Sequence, residues 1–277
     1  MTRGVLIFAF NNEKIDYIKL SQFSAKRVRE YLNVPVTLVT DKKIDSNDLF
    51  DQVIVVDSPN SQNRLFYDGS ENSFVGGWHN LTRFNSFELS PYDETLVIDS
   101  DYIINSSFLN CCWNKPSDFL IFKESFDLAS WRKIKEFDKI SEYSIDFVWA
   151  TVFYFKKTQK NKLFFNLVEH IKNNWHFYMM MYQCLSPHYR NDIAFSIAIH
   201  MFNGFTSEKF LEYFPGNMNY VLDIDHLLDY KNNKMQFLLE HPTDPSQYIL
   251  SKTEGIDVHV MNKSSLLRLI DKKEIYE

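Results

Sequence analysis

Unbroken apolar runs, more than alternation, mark the first part of this chain. Val5 to Phe10 (VLIFAF) is such a run, and a short apolar run bounded by polar residues predicts a strand covered on both faces. From Ile15 to Leu32 the apolar positions Ile15, Ile18, Phe23, Val28 and Leu32 fall roughly on a helical stripe, which Pro35 closes off. VTLVT (36–40) and QVIVVD (52–57) predict two more strands. Residues 58–77 are polar with Gly and Asn, and read as a long loop, of the kind that is functional or disordered. A helix is predicted over Trp78–Leu89, ended by Pro91, and then a strand in TLVI (95–98). Further strands are predicted in DFLIF and FVWATVFYF, helices over Thr158–Trp175 and Asp192–Met201, a short strand in IDVHVM (256–261), and a last helix starting at Ser264–Leu269. Strands and helices spaced in this way predict an α/β fold with a mostly parallel central sheet flanked by helices. No internal repeat and no domain boundary is visible in the 277 residues.

Composition narrows the chemistry. With 45% apolar residues the chain fills a core, and its 25 Phe and 15 Tyr make that core aromatic. Only 7 glycines are present, and neither a P-loop nor a G-x-G-x-x-G stretch occurs. The net charge of −6 argues against a broad nucleic-acid-binding face, while leaving open an anionic small molecule held through a divalent cation. Three cysteines, two of them adjacent at Cys111-Cys112, give no disulfide framework and no zinc spacing, as expected in a reducing, cytoplasmic compartment. The apolar runs fall far short of a membrane span and MTRGVLIFAF is no signal peptide, so no stable membrane insertion is expected.

One short motif carries the functional question. The predicted strand TLVI runs straight into Asp99-Ser100-Asp101. Beyond the carboxyl end of a parallel strand is where α/β sheets bind ligands. In extended backbone residues i and i+2 face the same side, and two neighbouring carboxylates resist joint ionisation without a cation. The pair reads either as a polar turn or as oxygen ligands of Mg²⁺ or Mn²⁺. A second such pair, Asp223-Ile224-Asp225, precedes an apparent helix start, and Asp225 there reads as an N-cap.

WHNLTRFNSFELSPYDETLVIDSDYII resembles the core of GT-A glycosyltransferases, the glycogenin-like group above all. The resemblance implies a single GT-A, Rossmann-like domain over 1–277, with a donor-binding half at about 1–105 and an acceptor- and sugar-binding half at about 106–277. It implies that Asp99 and Asp101 hold Mn²⁺ or Mg²⁺ on the diphosphate of a nucleotide sugar, a UDP-sugar first, with Ser100 beside the donor and Arg83 the basic residue that contacts it. IFAFNNEKIDY resembles the base-binding start of the family, placing Ala9, Phe10, Asn11 and Tyr17 against base and ribose; the other reading is Phe10 in the core and Asn11-Asn12 as a helix-capping turn, equally open for Asn12. Asp41 stands where a ribose contact is common and reads equally as the cap of a turn. In the sugar-pocket strand the family's Asn-Ser-Gly is replaced by Trp149-Ala150-Thr151, and Asp146, just before it, is placed near a sugar hydroxyl. Asp192 opens a helix where the family has an acidic residue near the transferred sugar; it reads equally as a cap. His259 and Lys263 match, in order and approximate spacing, a late third metal ligand and a phosphate-contacting lysine.

The activity implied is metal-dependent transfer of a hexose or pentose from a nucleoside diphosphate sugar to a hydroxyl, with Arg83 and Asp192 as the catalytic candidates. The Asn-, Lys-, Ile- and Phe-rich composition resembles small viral or AT-rich bacterial glycosyltransferases, so a modified DNA base, in a host cytoplasm, and a glycan both stand as acceptors. Residues 58–77, with Arg64, Phe66, Tyr67 and Phe74, are the candidate acceptor wall. The alternatives are a nucleotidyltransferase, against which the missing Gly-rich basic loop counts, and a binding protein of the same fold without turnover.

Overall fold

The computed structural model describes residues 1–44, 49–58, 60–142, 144–206 and 212–276. The chain opens with β1 (Arg3–Phe8), α1 (Tyr17–Tyr31), β2 (Val36–Thr40) and β3 (Gln52–Val55). A hairpin of β4 (Gln62–Tyr67) and β5 (Ser73–Trp78) follows, then a 3-10 turn at Arg83–Asn85 that runs into one helical turn, α2 (Ser86–Leu89). Next come β6 (Glu94–Ile98), β7 (Tyr102–Ile103), β8 (Phe119–Phe122), β9 (Ser125–Asp127) and β10 (Trp149–Lys156), and then α3 (Gln159–Asn173), α4 (Trp175–Met181) and α5 (Asn191–Phe202). The last stretch holds β11 (Glu212–Tyr213), β12 (Met218–Val221), β13 (His226–Lys231), β14 (Lys234–Glu240), β15 (Tyr248–Glu254) and β16 (Val258–Val260) before α6 (Lys263–Tyr276).

The central sheet has the order β11-β8-β10-β6-β1-β2-β3. β6, β1, β2 and β3 run parallel, and β10 runs against both of its neighbours. The fold is therefore α/β with a mostly parallel sheet. Every residue of β2 and of β6 is buried, which is why these strands read as continuous apolar runs. Glu94 survives inside β6 because Arg3 Nε donates to it at 2.6 Å. The aromatic excess fills the layer between β8 and β10 and the helices α3 and α5: Phe119 meets Phe164 at 4.8 Å, Phe155 meets Phe165 at 4.9 Å and Phe153 meets Phe195 at 5.0 Å. Among the described residues, no helix is long and apolar enough to cross a membrane.

A second sheet, β7-β16-β12-β9, lies beyond the carboxyl end of β6. Its antiparallel β7–β16 register puts His259 opposite Tyr102, next to Asp101. Beyond it, β13, β14 and β15 form an antiparallel sheet whose central strand alternates Met235, Phe237 and Leu239 inward.

Three expectations need correction. Residues 62–78 are a hairpin rather than a loop, with residue 59 outside the described residues. Phe66 turns inward and stacks on Phe74 at 5.2 Å, while the alternate positions face solvent, so the segment reads as polar. Its turn uses Gly69 at φ +79°, a conformation natural to glycine, and a Cβ there would strike the His226 ring. Of the predicted helix over Trp78–Leu89 only the last turn, α2 (Ser86–Leu89), is α-helical; the end of β5, an irregular link and the 3-10 turn at Arg83–Asn85 take up the rest. Asp225 caps no helix: it is fully buried and takes Arg132 Nη1 at 2.9 Å and Nη2 at 2.6 Å.

The hairpin is tied to the last helix by one fork. Arg268 donates to both Asp68 oxygens, at 2.6 and 2.8 Å, and these bonds hold the Asp68 carboxyl below its ordinary value. A folded-state value below the unfolded one stabilises above the ordinary carboxylate range and fades as pH falls through it. Arg268 is half exposed, so Arg268→Ala is expected to cost no more than about 1 kcal/mol globally. Hydrogen exchange at β4 and β5 should nevertheless accelerate at pH 7, and the difference from wild type should shrink near pH 3.

Candidate functional site

A cleft of about 240 Å³ opens at the carboxyl edge of β1 and β6. Asp99 follows β6 directly, and its backbone N–H donates to Thr151 O on β10 at 2.9 Å, which fixes the start of the turn. Asp101 O accepts from Val260 N at 3.0 Å, so the same turn draws β16 to the motif. The result brings together side chains far apart in sequence: one ligand atom each from Asp99, Asp101 and His259 lies within 4.8 Å of the others. Lys263 Nζ, at the start of α6, stands 2.7 Å from Asp101 Oδ2, and His259 Nε2 stands 3.4 Å from the same oxygen.

The electrostatics follow from burial. Burial pushes the Asp101 carboxyl upward, but Lys263 and His259 outweigh it and hold the group well below the usual carboxylate range. Arg83 is almost fully buried; it pairs with Asp99 and donates to Ala150 O, linking the motif to β10. Burial pushes its guanidinium down to about 10, with Asp192 and Asp101 opposing. Arg83 sits on the 3-10 turn rather than on a regular helix. Asp192 lies in the first turn of α5, yet its carboxylate leaves the helix: Oδ1 accepts from Ala150 N at 2.9 Å and Oδ2 faces Arg190 at 3.3 Å. It thus pins α5 to β10 at Ala150.

The donor set suits a divalent cation. Two carboxylates supply hard oxygens and His259 supplies an imidazole, a set compatible with Mn²⁺ or Mg²⁺. Three cleft residues also hold buried polar atoms that have no hydrogen-bond partner among the described residues: His259 Nδ1, Tyr17 Oη and Trp149 Nε1. Orphaned buried donors are costly, and here they cluster around one cavity.

Phe10, Tyr17, Arg83, Ser100, Asp192 and Lys263 also line the cleft. Ala9, Asn11, Asp41 and Asp146 do not. Ala9 is packed in the core, and Asn11 Oδ1 accepts from Ile18 N at 3.0 Å at the entry of α1. Asp41 takes Ser58 Oγ at 2.7 Å, and Asp146 pairs with Lys123 at 2.6 Å. Of the hairpin residues, Arg64 and Trp78 reach the cleft, with the Arg64 guanidinium 5.8 Å from the Phe66 ring and 5.6 Å from Trp78. Asn80, Glu136, Phe137, Arg190 and Asp223 line it too, without having been singled out as site residues from the sequence. For Asp223 the signal existed in the second Asp-x-Asp pair; burial raises its carboxyl. The others gave no local motif.

No family model matches the chain, and no curated protein matches it. Among solved structures it is similar to the galactosyltransferase LgtC in complex with donor and acceptor sugar analogs, at 13% sequence identity and TM-score 0.45, over 76% of this chain and 72% of that one. It is also similar to the glycosyltransferase GlyE of Streptococcus pneumoniae TIGR4, at 11% identity and TM-score 0.40, over 76% of this chain and 45% of that one.

Proposed function

We propose that this protein is a metal-dependent glycosyltransferase that moves a hexose or pentose from a nucleoside diphosphate sugar, a UDP-sugar first, to a hydroxyl of a glycan or a modified DNA base. The observation that carries this reading is the convergence of Asp99, Asp101 and His259 within 4.8 Å at the carboxyl edge of a parallel sheet, with Lys263 beside them. Bound Mn²⁺ or Mg²⁺ would supply Lewis-acid stabilisation of the departing diphosphate.

The chain's own residues do the rest. Lys263 adds positive charge beside the phosphate position, and Arg83 braces Asp99 and keeps the motif in register with β10. Phe10 and Tyr17 form the wall on the side of β1, where base and ribose would lie. Trp149 and Thr151 shape the sugar pocket. Trp149 is held edge-on by Phe137 at 4.5 Å, which leaves a narrower, more apolar floor than an Asn-Ser-Gly triplet would. Asp192 is the acidic group at the sugar end, oriented by Ala150 and Arg190, and serves as acceptor base if transfer inverts. Arg64 and Trp78 offer a cation and an aromatic face to the acceptor. Residues 1–105 supply Asp99 and Asp101 and residues 106–277 supply His259 and Lys263, so the diphosphate end draws on both halves of the domain.

The test is a thermal-shift screen of UDP- and GDP-sugars with and without Mn²⁺, followed by slow donor hydrolysis. A donor present at about a hundred times its Kd adds about 2.7 kcal/mol, which is roughly 5–10 °C for a chain of this size. The shift is expected only when metal and donor are both present. A protein that shifts with a donor but never hydrolyses or transfers it is a binding protein; one that shifts with none of them refutes the reading.

A further inference from the structure

Outside the cleft, α4 leaves large apolar side chains in solvent. Phe177, Met180 and Met181 occupy positions i, i+3 and i+4 of this helix, so they share one face, and they are 61%, 63% and 49% exposed. Leu185, just past the helix, is 71% exposed. The face is not loose. Tyr178 and Tyr182 are buried beneath it, and Trp175 Nε1 donates to Pro187 O at 2.8 Å. The Trp175 ring also meets Tyr189 edge-on at 5.3 Å.

The charge around this face is as uneven as its polarity. Residues 170–190 contain no Asp or Glu, in a chain that has 36 of them, yet they include Lys172, His170, His176 and His188, besides Arg190, which pairs with Asp192 at 3.3 Å. A rigid patch of aromatic and thioether side chains, on a stretch of chain that carries lysine and imidazole groups and no carboxylate, matches the two layers of an anionic membrane surface: acyl chains below, phosphate above.

We propose that the α4 face docks this protein on an anionic lipid bilayer, with Phe177, Met180 and Met181 entering the interface while Lys172 and the histidines meet headgroup phosphate. A second copy of the chain fits the patch less well. These few side chains offer on the order of a few hundred Å², short of the roughly 800 Å² per partner of a stable protein interface. The docking is peripheral and independent of glycosyl transfer, so it is tested without donor or metal. The docked face and the cleft share the 186–192 segment, because Trp175 grips the stretch that delivers Arg190 and Asp192.

The experiment is co-sedimentation of the full chain with vesicles of phosphatidylcholine alone or with about 30% phosphatidylglycerol, at low salt and at about 0.5 M salt, where charge attraction is screened. Binding to the anionic vesicles, weakened by salt, is expected. Phe177→Ser/Met180→Ser should lose at least ~10-fold of it, and His176→Glu should weaken it as well. All three positions are exposed, so the variants should melt with the wild type. Absence of binding, equal binding to neutral vesicles, or undiminished binding by the double variant overturns the proposal. So does concentration-dependent self-association that the double variant abolishes without any vesicle binding.

Discussion

Asp101→Asn is expected to remove metal-dependent donor hydrolysis by at least ~10²-fold and to abolish the Mn²⁺-dependent thermal shift. Asp101 is buried with Lys263 Nζ at 2.7 Å and His259 Nε2 at 3.4 Å. Its carboxyl is held far below the usual range, so it is ionised at any working pH. Asparagine keeps the shape and the backbone bond from Val260 but deletes the charge. Two consequences separate cleanly. The donor set falls to Asp99 and His259, which empties the metal readout. Lys263, its side chain 11% exposed, loses its counter-ion, and removing one partner of a largely buried pair costs about 3 kcal/mol. Metal-free melting therefore drops even if the catalytic reading is wrong, whereas the metal effect disappears only if Asp101 is a ligand. Retention of a full Mn²⁺ shift by Asp101→Asn would remove the basis of the proposed function.

How far the sequence disclosed this arrangement depended on burial. β1, β2, β6 and β10 are covered on both faces, so their composition alone announces them, and with them the sheet. The β4–β5 hairpin is half solvated and built on Asn, Ser and Gly, which hid it inside an apparent loop. Residues 213–254 were missed for a different reason. Met235, Phe237 and Leu239 do alternate inward, but the outward Leu238 interrupts the period-2 pattern. Within the site, the Asp99-Ser100-Asp101 turn is a local object and was legible as one. The approach of His259 and Lys263 is a product of β7–β16 pairing; no local motif encodes it, and only the family resemblance, in order and approximate spacing, singled the two residues out. Arg83 was expected on a helix, and the shorter turn lets its guanidinium reach Ala150 and Asp99 at once. Asp192 shows the limit of a capping argument: the residue type suits a helix N-terminus, yet its carboxylate satisfies a strand N–H instead.

The second large effect is on stability. Arg132 binds two carboxylates with one guanidinium: Nε and Nη2 donate to Asp127 at 2.8 Å each, and Nη1 and Nη2 donate to Asp225 at 2.9 and 2.6 Å. Asp225 also accepts from Leu222 N and Glu240 N, both at 2.9 Å, so the cluster joins β9, the β12–β13 turn and the end of β14. Asp127 and Asp225 are buried, and burial raises the Asp127 carboxyl despite the fork. Arg132→Ala leaves two buried charges facing each other and should cost about 3–5 kcal/mol, a fall in Tm of roughly 10 °C. Arg132→Lys should recover only part of this, because a single ammonium cannot make two forks. Adding Asp127→Asn and Asp225→Asn to Arg132→Ala should recover more than lysine does, since the residual penalty is then a cavity and not stranded charge. Urea melts of the four proteins decide the matter. A loss below about 1 kcal/mol in Arg132→Ala, or a triple variant less stable than the single one, would mean that the two carboxylates find water or protons without Arg132 and that the cluster is not what fixes this end of the second sheet.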